Sequence, residues 1–214
     1  MEVRRGACSA YVSLPEQPEG RGVLVIHEAL GLTADIRSIS DRFAKAGYVA
    51  LAPRLFGGLG CLVRTFSGEK RRQDLDGWRA YLRQEHAVER AGIIGFCMGG
   101  GFALAHASTP GSDFKAVSVN YGAVPENLKG VCPVVGSYGE RDRLLLAHAE
   151  RLEKELTELH IPHDVEIYAG AGHSFLNQHS GWYVHLERRL GAGYNEQAAE
   201  DAWERIFAFF GEHV

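Results

Sequence analysis

The sequence predicts an α/β fold with a mainly parallel sheet and helices on both faces of that sheet. Short apolar runs alternate with amphipathic stretches of helix length along most of the 214 residues, as in proteins built from strand–helix–strand units. The run over 23–26 is apolar at every position rather than at every second one. That pattern is typical of parallel strands that are covered on both faces.

Several of the predicted strands are short apolar runs with a clear boundary. Residues 23–26 stop at His27, and residues 48–52 stop at Pro53. A later run is entered through Pro133, because proline is tolerated at the start of a strand. Together these signals predict strands over 23–26, 48–52, 91–95, 115–120, 131–137 and 164–168.

The predicted helices have apolar residues that recur at three- and four-residue spacing. Leu75, Trp78 and Leu82 share one face of the second predicted helix, and Gly47 supplies the C-terminal stop of the first. A closing helix shows the same amphipathic pattern near the end of the sequence. The predicted helices cover 33–46, 69–89, 100–108, 144–160 and 198–210, and a glycine-rich loop covers 54–65.

Length and charge favour one globular domain over 1–214 and argue against a nucleic-acid partner. A chain of 214 residues, of which 45% are hydrophobic, is long enough to bury a substantial core. The net charge of −4 is scattered rather than gathered in blocks. Lys70, Arg71 and Arg72 form the only basic cluster, and so short a run is more often a solvated helix face. The expected assembly is a monomer or a weak homodimer.

The sequence also bears on location and on metal binding. No run approaches the ~18 apolar residues that a membrane span needs, and the N-terminal residues lack an apolar segment of signal-peptide length. We therefore expect a soluble, cytoplasmic protein with no membrane partner. Neither a disulfide framework nor a metal site is expected, and reduced thiols are predicted, because no C-x-x-C pair occurs among Cys8, Cys61, Cys97 and Cys132.

The most informative motif is a Gly-x-Cys-x-Gly turn formed by Gly95, Cys97 and Gly99. It follows a predicted strand and opens a predicted helix, which is the position of the nucleophile elbow in α/β hydrolases, with sulfur in place of oxygen. Glycine permits the close approach of strand and helix that such a turn requires. The helix N-terminus favours a thiolate at Cys97. The alternative is a packing turn with a buried, inert thiol.

A cysteine nucleophile needs a base, and the base needs an orienting carboxylate, because a thiol with a pKa of ~8.5 is barely ionised at neutral pH. Asp142 and His173 each come shortly after a predicted strand, in the hydrolase order nucleophile, acid, histidine. Small residues around His173 indicate a tight loop. Asp142 has the alternative of a helix N-cap or a solvated loop charge. Asp164 and Asp113 are alternative acids, although both precede or enter strands and are expected at the opposite edge.

By these and further segments the sequence resembles the dienelactone hydrolase family of α/β hydrolases. The resemblance runs from about residue 22 to the end, in family order, and is much more specific than the cysteine turn alone. The matching segments are His27-Glu28 with Gly31, residues 47–53, residues 95–100, Gly139-Glu140 with Asp142, Gly172-His173 with Phe175, and the terminal helix over 198–210.

The resemblance implies hydrolysis of a small ester or lactone through a thioester intermediate, without a cofactor. It implies Cys97 as the nucleophile, His173 as the general base and acid, and Asp142 as the orienting partner of His173. Two other classes of function remain open. One is a non-catalytic, hydrolase-like module that binds a small molecule or a protein, and the other is a redox-sensing thiol protein, although no resolving cysteine is near Cys97 in sequence.

Three further positions acquire roles from the resemblance. Glu28 matches the family glutamate that contacts the thiol and helps to convert it to thiolate. The backbone N–H groups of Met98 and Ala29 match the oxyanion hole, whose donors stabilise charge that appears only in the tetrahedral intermediate. For Glu28 the alternatives are a helix-entry carboxylate or an ion-pair partner of Arg37.

The sequence departs from the family in its substrate contacts. Members that act on dienelactone hold the substrate carboxylate with two arginines, and this chain has Gly58 and Asn177 at the matching positions. Arg54 and Arg64 are the candidate replacements, although each is more often a solvated loop residue. Because a buried carboxylate without a cationic partner is costly, we expect neutral esters or lactones to be preferred.

Overall fold

The computed structural model describes residues 1–55, 68–181, 183–189 and 191–214. Its strands form one eight-stranded sheet. The first two strands run antiparallel to their neighbours and all other pairs are parallel. The strands are β1 (Glu2–Arg5), β2 (Cys8–Ser13), β3 (Arg21–Ile26), β4 (Val49–Pro53), β5 (Arg90–Phe96), β6 (Ala116–Asn120), β7 (Val134–Gly139) and β8 (His163–Tyr168), in the spatial order β1-β2-β4-β3-β5-β6-β7-β8.

The helices cover both faces of this sheet, and the predicted α/β-hydrolase fold with a mainly parallel sheet is confirmed. They are α1 (Ala34–Lys45), α2 (Gly68–His86), α3 (Met98–Ala107), α4 (Leu146–Glu158), α5 (Tyr183–Arg189) and α6 (Glu196–His213). Thr33 caps α1 by accepting the N–H of Ile36, and Asn195 caps α6 by accepting the N–H of Ala198. Among the described residues, no helix combines the length and apolar character needed to cross a membrane.

The core lies in two layers, one on each face of the sheet. Leu24 and Ile26 of β3 point into the layer that contains Trp78 of α2, whereas Val23 and Val25 point into the layer that contains Trp203 of α6. Because successive side chains of a strand point to opposite faces, a strand covered on both sides must be apolar throughout. This is the physical reason for the continuous apolar runs in the sequence.

Three elements are absent from the sequence-based prediction. Strand β1 is four residues long and mostly exposed, and β2 alternates between partly buried and buried positions, so neither has the continuous apolar pattern of the parallel strands. Helix α5 is only seven residues long. The second helix was also predicted to run to residue 89, but it ends at His86 because Ala87 adopts a left-handed backbone with φ 52°.

Most of the glycine-rich loop predicted over 54–65 lies outside the described residues, including Gly58, Cys61 and Arg64.

The carboxyl ends of β3, β5, β7 and β8 lie at the same edge of the sheet, because these strands run parallel in register. The segments that follow these four ends carry Glu28, Cys97, Asp142 and His173. The topology therefore brings these four residues to one edge of the sheet.

Candidate active site

Cys97 occupies the turn between β5 and α3 in a backbone conformation that few non-glycine residues adopt. Its φ is 55° and its ψ is −122°. The glycines around it allow the strand and the helix to touch. A Cβ on Gly95 would lie 2.1 Å from the carbonyl oxygen of Gly99, and a Cβ on Gly99 would lie 2.4 Å from the carbonyl oxygen of His27. The predicted strained turn is therefore present, and no side chain larger than hydrogen fits at these two glycines.

The turn is anchored to β6. The backbone N–H of Cys97 donates to the carbonyl of Asn120 at 3.0 Å, and the buried Asn120 side chain donates back to the carbonyl of Gly95 at 3.0 Å. Cys97 is the residue before Met98, the first residue of α3, and its side chain makes no capping hydrogen bond. The thiol is therefore left at the positive end of the helix dipole, where a thiolate is favoured.

Asp142 and His173 form the pair that the sequence predicts. Asp142 is buried in the loop after β7, and its Oδ2 lies 2.5 Å from Nδ1 of His173. Two glycines bring the loops together: a Cβ on Gly139 would lie 2.6 Å from the carbonyl oxygen of Ala171, and one on Gly172 would lie 1.9 Å from that of Gly191. Because Nδ1 faces the carboxylate, Nε2 is the nitrogen left for the thiol.

The electrostatic surroundings of His173 favour its protonated form. Burial lowers the pKa of His173, but hydrogen bonding with Asp142 and with the Cys97 side chain outweighs burial and raises the pKa to about 10. The ring also packs edge-on against Tyr121, with 5.1 Å between centroids. At neutral pH the imidazolium is thus held between a carboxylate and the sulfur, which is the arrangement that stabilises a thiolate.

The alternative acids are occupied elsewhere. Asp164 lies in β8 and accepts hydrogen bonds from the guanidinium of Arg205, with the Nε contact at 3.0 Å. Asp113 is 3.1 Å from the guanidinium of Arg79. The helix N-cap alternative for Asp142 does not match the structure, because the residue that caps α4 is Leu145.

The two amides expected in an oxyanion hole belong to two adjacent segments, the start of α3 and the turn after β3. Met98 is the first residue of α3, so its N–H has no acceptor within the helix. Ala29 lies in a turn closed by a 3.1 Å hydrogen bond from the N–H of Gly31 to the carbonyl of Glu28. The close contact of Gly99 with the carbonyls that end β3 places the first turn of α3 beside this segment.

Glu28 is buried just after β3, and its carboxylate forms an ion pair with His179. Its Oε1 lies 3.5 Å from Nε2 of His179, and Nδ1 of that ring lies 2.7 Å from Oε1 of Glu187. Neither carboxylate oxygen of Glu28 accepts a hydrogen bond from the part of the chain that the structure describes. The Glu28 carboxylate therefore forms no hydrogen bond with the Cys97 thiol. The alternative of an ion pair with Arg37 does not match the structure, because Arg37 pairs with Glu2.

Neither described candidate for a substrate contact is among the residues that line the cleft at Cys97. Asn177 is fully buried, accepts a short hydrogen bond from the hydroxyl of Tyr121, and donates to Asp35 at 2.7 Å. Its amide is thus engaged within the protein rather than turned toward a substrate. Arg54 is exposed at the end of β4, and its backbone N–H donates to Ser9 at 2.8 Å. Arg64 lies outside the described residues.

A cleft of about 970 Å³ opens over Cys97 and His173. Its described lining combines an apolar side, which includes Leu144 and Tyr183, with the charged residues Arg141 and Arg143. Glu187 also lines it. The volume suits a small organic molecule, since ligand pockets typically measure ~300–1,000 Å³.

Sequence reasoning missed His179 and Glu187. The sequence offers a signal for His179. The family pattern places an arginine at position 177, where this chain has Asn177, and His179 is a basic residue only two positions further on. Glu187 has no such signal, because it stands among other charged residues of α5. Its closeness to His179 depends on how α5 packs.

Comparison with known proteins identifies the family to which these features belong. Residues 8–214 match the model of the dienelactone hydrolase family. The chain belongs to the dienelactone hydrolase family. The family predicted from the sequence is thereby confirmed, and the protein is a hydrolase of the α/β-hydrolase fold.

Relatives within the family match over nearly the whole chain. A protein of Saccharolobus solfataricus named "Putative carboxymethylenebutenolidase" is 28% identical, and the match covers 94% of this chain and 92% of that protein. The protein usf of Aquifex pyrophilus is 29% identical, with 95% and 93% covered. The solved structure of a dienelactone hydrolase from Anabaena variabilis superposes with a TM-score of 0.74 at 18% identity, with 100% and 96% covered, and so shows the shared fold.

Proposed function

We propose that this dienelactone hydrolase family member cleaves small carboxylic esters or lactones, with Cys97 as nucleophile, His173 as acid and base, and Asp142 as the orienting group. The observation that carries the proposal is the left-handed backbone of Cys97 at the head of α3, in the same cleft as the Asp142–His173 pair. A buried packing thiol needs neither the strained backbone nor the histidine. The proposed reaction uses no cofactor.

In the first half-reaction the Cys97 thiolate attacks the carbonyl carbon and the C=O electron pair moves to oxygen. The resulting oxyanion accepts hydrogen bonds from the N–H groups of Met98 and Ala29. These donors stabilise the negative charge that develops on the oxygen in the transition state. The intermediate collapses by breaking the bond to the alcohol oxygen, which takes the proton from Nε2 of His173. A thioester on Cys97 and a free alcohol, or a ring-opened hydroxyl in a lactone, result.

In the second half-reaction His173 removes a proton from water, and the hydroxide attacks the thioester. Acylation favours this step. The Cys97 thiolate raises the pKa of His173, whereas the uncharged thioester does not, so His173 in the acyl-enzyme is more readily neutral and able to accept a proton. Collapse of the second intermediate expels the thiolate, releases the carboxylic acid and restores the ion pair. Asp142 keeps the ring in the tautomer that these transfers need.

A relative's name adds a substrate class to this proposal. Carboxymethylenebutenolides are lactones that carry a free carboxylate, and the family's arginine position is here the buried Asn177. Glu187 adds a carboxylate to the lining of the cleft. Both observations support a preference for neutral esters or lactones. Arg141 and Arg143 also line the cleft, but both are exposed, so solvent screens their charges.

The proposal is tested by trapping the acyl-enzyme. After mixing with an activated acetate ester and quenching in acid, mass spectrometry should show one acetyl group on the peptide that contains Cys97. Cys97→Ala should show no adduct and no ester hydrolysis. Cys132→Ala is the matched control, since burial raises the pKa of that thiol to about 12; it should retain both signals. Full hydrolysis by Cys97→Ala would contradict the proposal.

A further inference from the structure

A buried cluster of three charged residues lies beside the proposed catalytic groups but has no part in the steps above. It consists of Glu28, His179 and Glu187, whose side chains are 5%, 3% and 6% exposed. The imidazole lies between the two carboxylates, with Nδ1 2.7 Å from Glu187 and Nε2 3.5 Å from Glu28. The contact with Glu187 is short enough for a hydrogen bond, whereas the contact with Glu28 is an ion pair without a hydrogen bond.

The positions of both nitrogens indicate the charge of the ring. An imidazole that faces a carboxylate with each nitrogen is matched on both sides only as imidazolium, since the neutral ring has one donor. Burial lowers the pKa of His179, but its contacts with Glu28 and Glu187 outweigh burial and raise the pKa to about 9. At neutral pH the cluster therefore holds one positive and two negative charges.

The cluster is close enough to Cys97 for its charge to matter. Glu187 lines the same cleft as Cys97. Burial raises the pKa of the Tyr183 hydroxyl most. The negative charges of Glu187, Cys97 and Glu28 each raise it further, so all three groups lie within electrostatic reach of this hydroxyl. The backbone connects the two regions as well, because the N–H of Gly193, just after α5, donates to the carbonyl of His173 at 2.7 Å.

We propose that His179 is a positioning residue that holds the Glu28 carboxylate in an ion pair and offsets negative charge that would otherwise oppose ionisation of the Cys97 thiol. This inference rests on the proposed role of Cys97 as nucleophile. A carboxylate near a thiol disfavours the thiolate, whereas a cation near it favours the thiolate. With its charge, His179 leaves one net negative charge in the cluster; without it there would be two.

The other groups that face His179 do not replace its charge. Glu28 faces it from the end of β3, Glu187 and Tyr183 face it from α5, and Asp35 of α1 lies within electrostatic reach. Burial raises the pKa of Asp35, while its hydrogen bonds with residues 177 and 178 oppose that rise. None of these four groups is a cation, so loss of the imidazolium leaves their charges uncompensated.

The experiment measures the rate at which iodoacetamide alkylates Cys97 as a function of pH, read by mass spectrometry of the Cys97 peptide. His179→Gln should move the midpoint of this profile up by about one pH unit, which corresponds to about a tenfold lower rate below the midpoint. Glu187→Gln removes a negative charge and should move the midpoint down. In a Glu28→Gln background the shift caused by His179→Gln should shrink, because residues that act through one another are not additive.

The matched control is His185→Gln, which makes the same substitution at an exposed position of α5 and should leave the midpoint in place. A purely structural role of His179 would lower the folded fraction and the amplitude but not the midpoint. An unmoved midpoint in His179→Gln, or an upward shift in Glu187→Gln, would overturn the inference. If His179→Gln fails to fold, the downward shift in Glu187→Gln carries the test. Alkylation needs no ester turnover, so absent hydrolysis with the shifts intact would count against the proposed function alone.

Discussion

The Cys97 turn and the Glu28–His179–Glu187 cluster lie side by side but are held in place by different forces. Around Cys97 and His173 the decisive contacts are between backbone atoms, which approach so closely that a Cβ on Gly95 or Gly172 would fall within about 2 Å of a carbonyl oxygen. In the cluster the decisive contacts are between charged side chains on β3, α5 and the segment between β8 and α5. The backbone geometry of the first region depends on sterics, and the side-chain geometry of the second depends on protonation.

This difference predicts how each region responds to change. The backbone contacts of the Cys97 turn tolerate no added atom and do not titrate, although the Asp142–His173 pair that they bring together does. A cluster of buried charges keeps its shape under small changes of volume but depends on the protonation of one imidazole. Mutations in the first region should therefore affect turnover and stability, whereas mutations in the second should alter the pH profile and the substrate preference.

The largest expected effect is on turnover. His173→Ala should lower kcat by about 10²–10⁴-fold with a modest change in KM, because the lost group acts on the transition state. Asp142→Asn should lose less, since the imidazole remains present. Steady-state kinetics on an activated ester measure both. Asp164→Asn is the control, because Asp164 pairs with Arg205 at the other end of β8; an inactive Asp164→Asn beside an active Asp142→Asn would show that the acid is misassigned.

The next effect is on stability at the cysteine turn. Gly95→Ala places a methyl group against the backbone of Gly99, where no side chain can move aside, and should destabilise the fold by about 1–3 kcal/mol or more. Urea unfolding measures the change. Gly211→Ala in α6 is the matched control, because its Cβ would meet nothing within 4 Å and a helical Gly→Ala change is stabilising. Equal stability of Gly95→Ala and wild type would show that the turn is not held by these contacts.

The smallest effect concerns the charge of the substrate. For a lactone that carries a free carboxylate and its methyl ester, kcat/KM should favour the ester by about tenfold, the ratio that about 1.4 kcal/mol of unfavourable electrostatics produces. Glu187→Gln should narrow this ratio, because it removes a carboxylate from the cleft lining. A preference for the acid that disappears in Arg54→Ala or Arg64→Ala would instead reveal a relocated arginine contact.

Much of the fold could be predicted because it depends on local patterns. Strands β3, β4 and β5 lie inside the sheet and contain continuous apolar runs, since a strand covered on both faces favours apolar side chains throughout. Strands β6 and β7 include the buried serines Ser118 and Ser137, and the edge strand β8 is mostly only partly buried. The antiparallel edge formed by β1 and β2 could not be predicted in the same way. Its residues alternate between partly and fully buried positions, or lie mostly exposed, and their pairing with β4 depends on contacts distant in sequence.

For the site, the sequence by itself determined which groups meet around Cys97. Asp142 and His173 come after parallel strands, and parallel strands bring such positions to one edge of the sheet. Gly139 and Gly172, close to them in sequence, mark positions where two backbone segments come into direct contact. Only the tertiary structure decided that Glu28 lies beside His179 and that Glu187 is the third member of the cluster. The physical reason is that an ion pair depends on how α5 packs against the end of β3, and side-chain packing across distant segments leaves no periodic signal in a sequence.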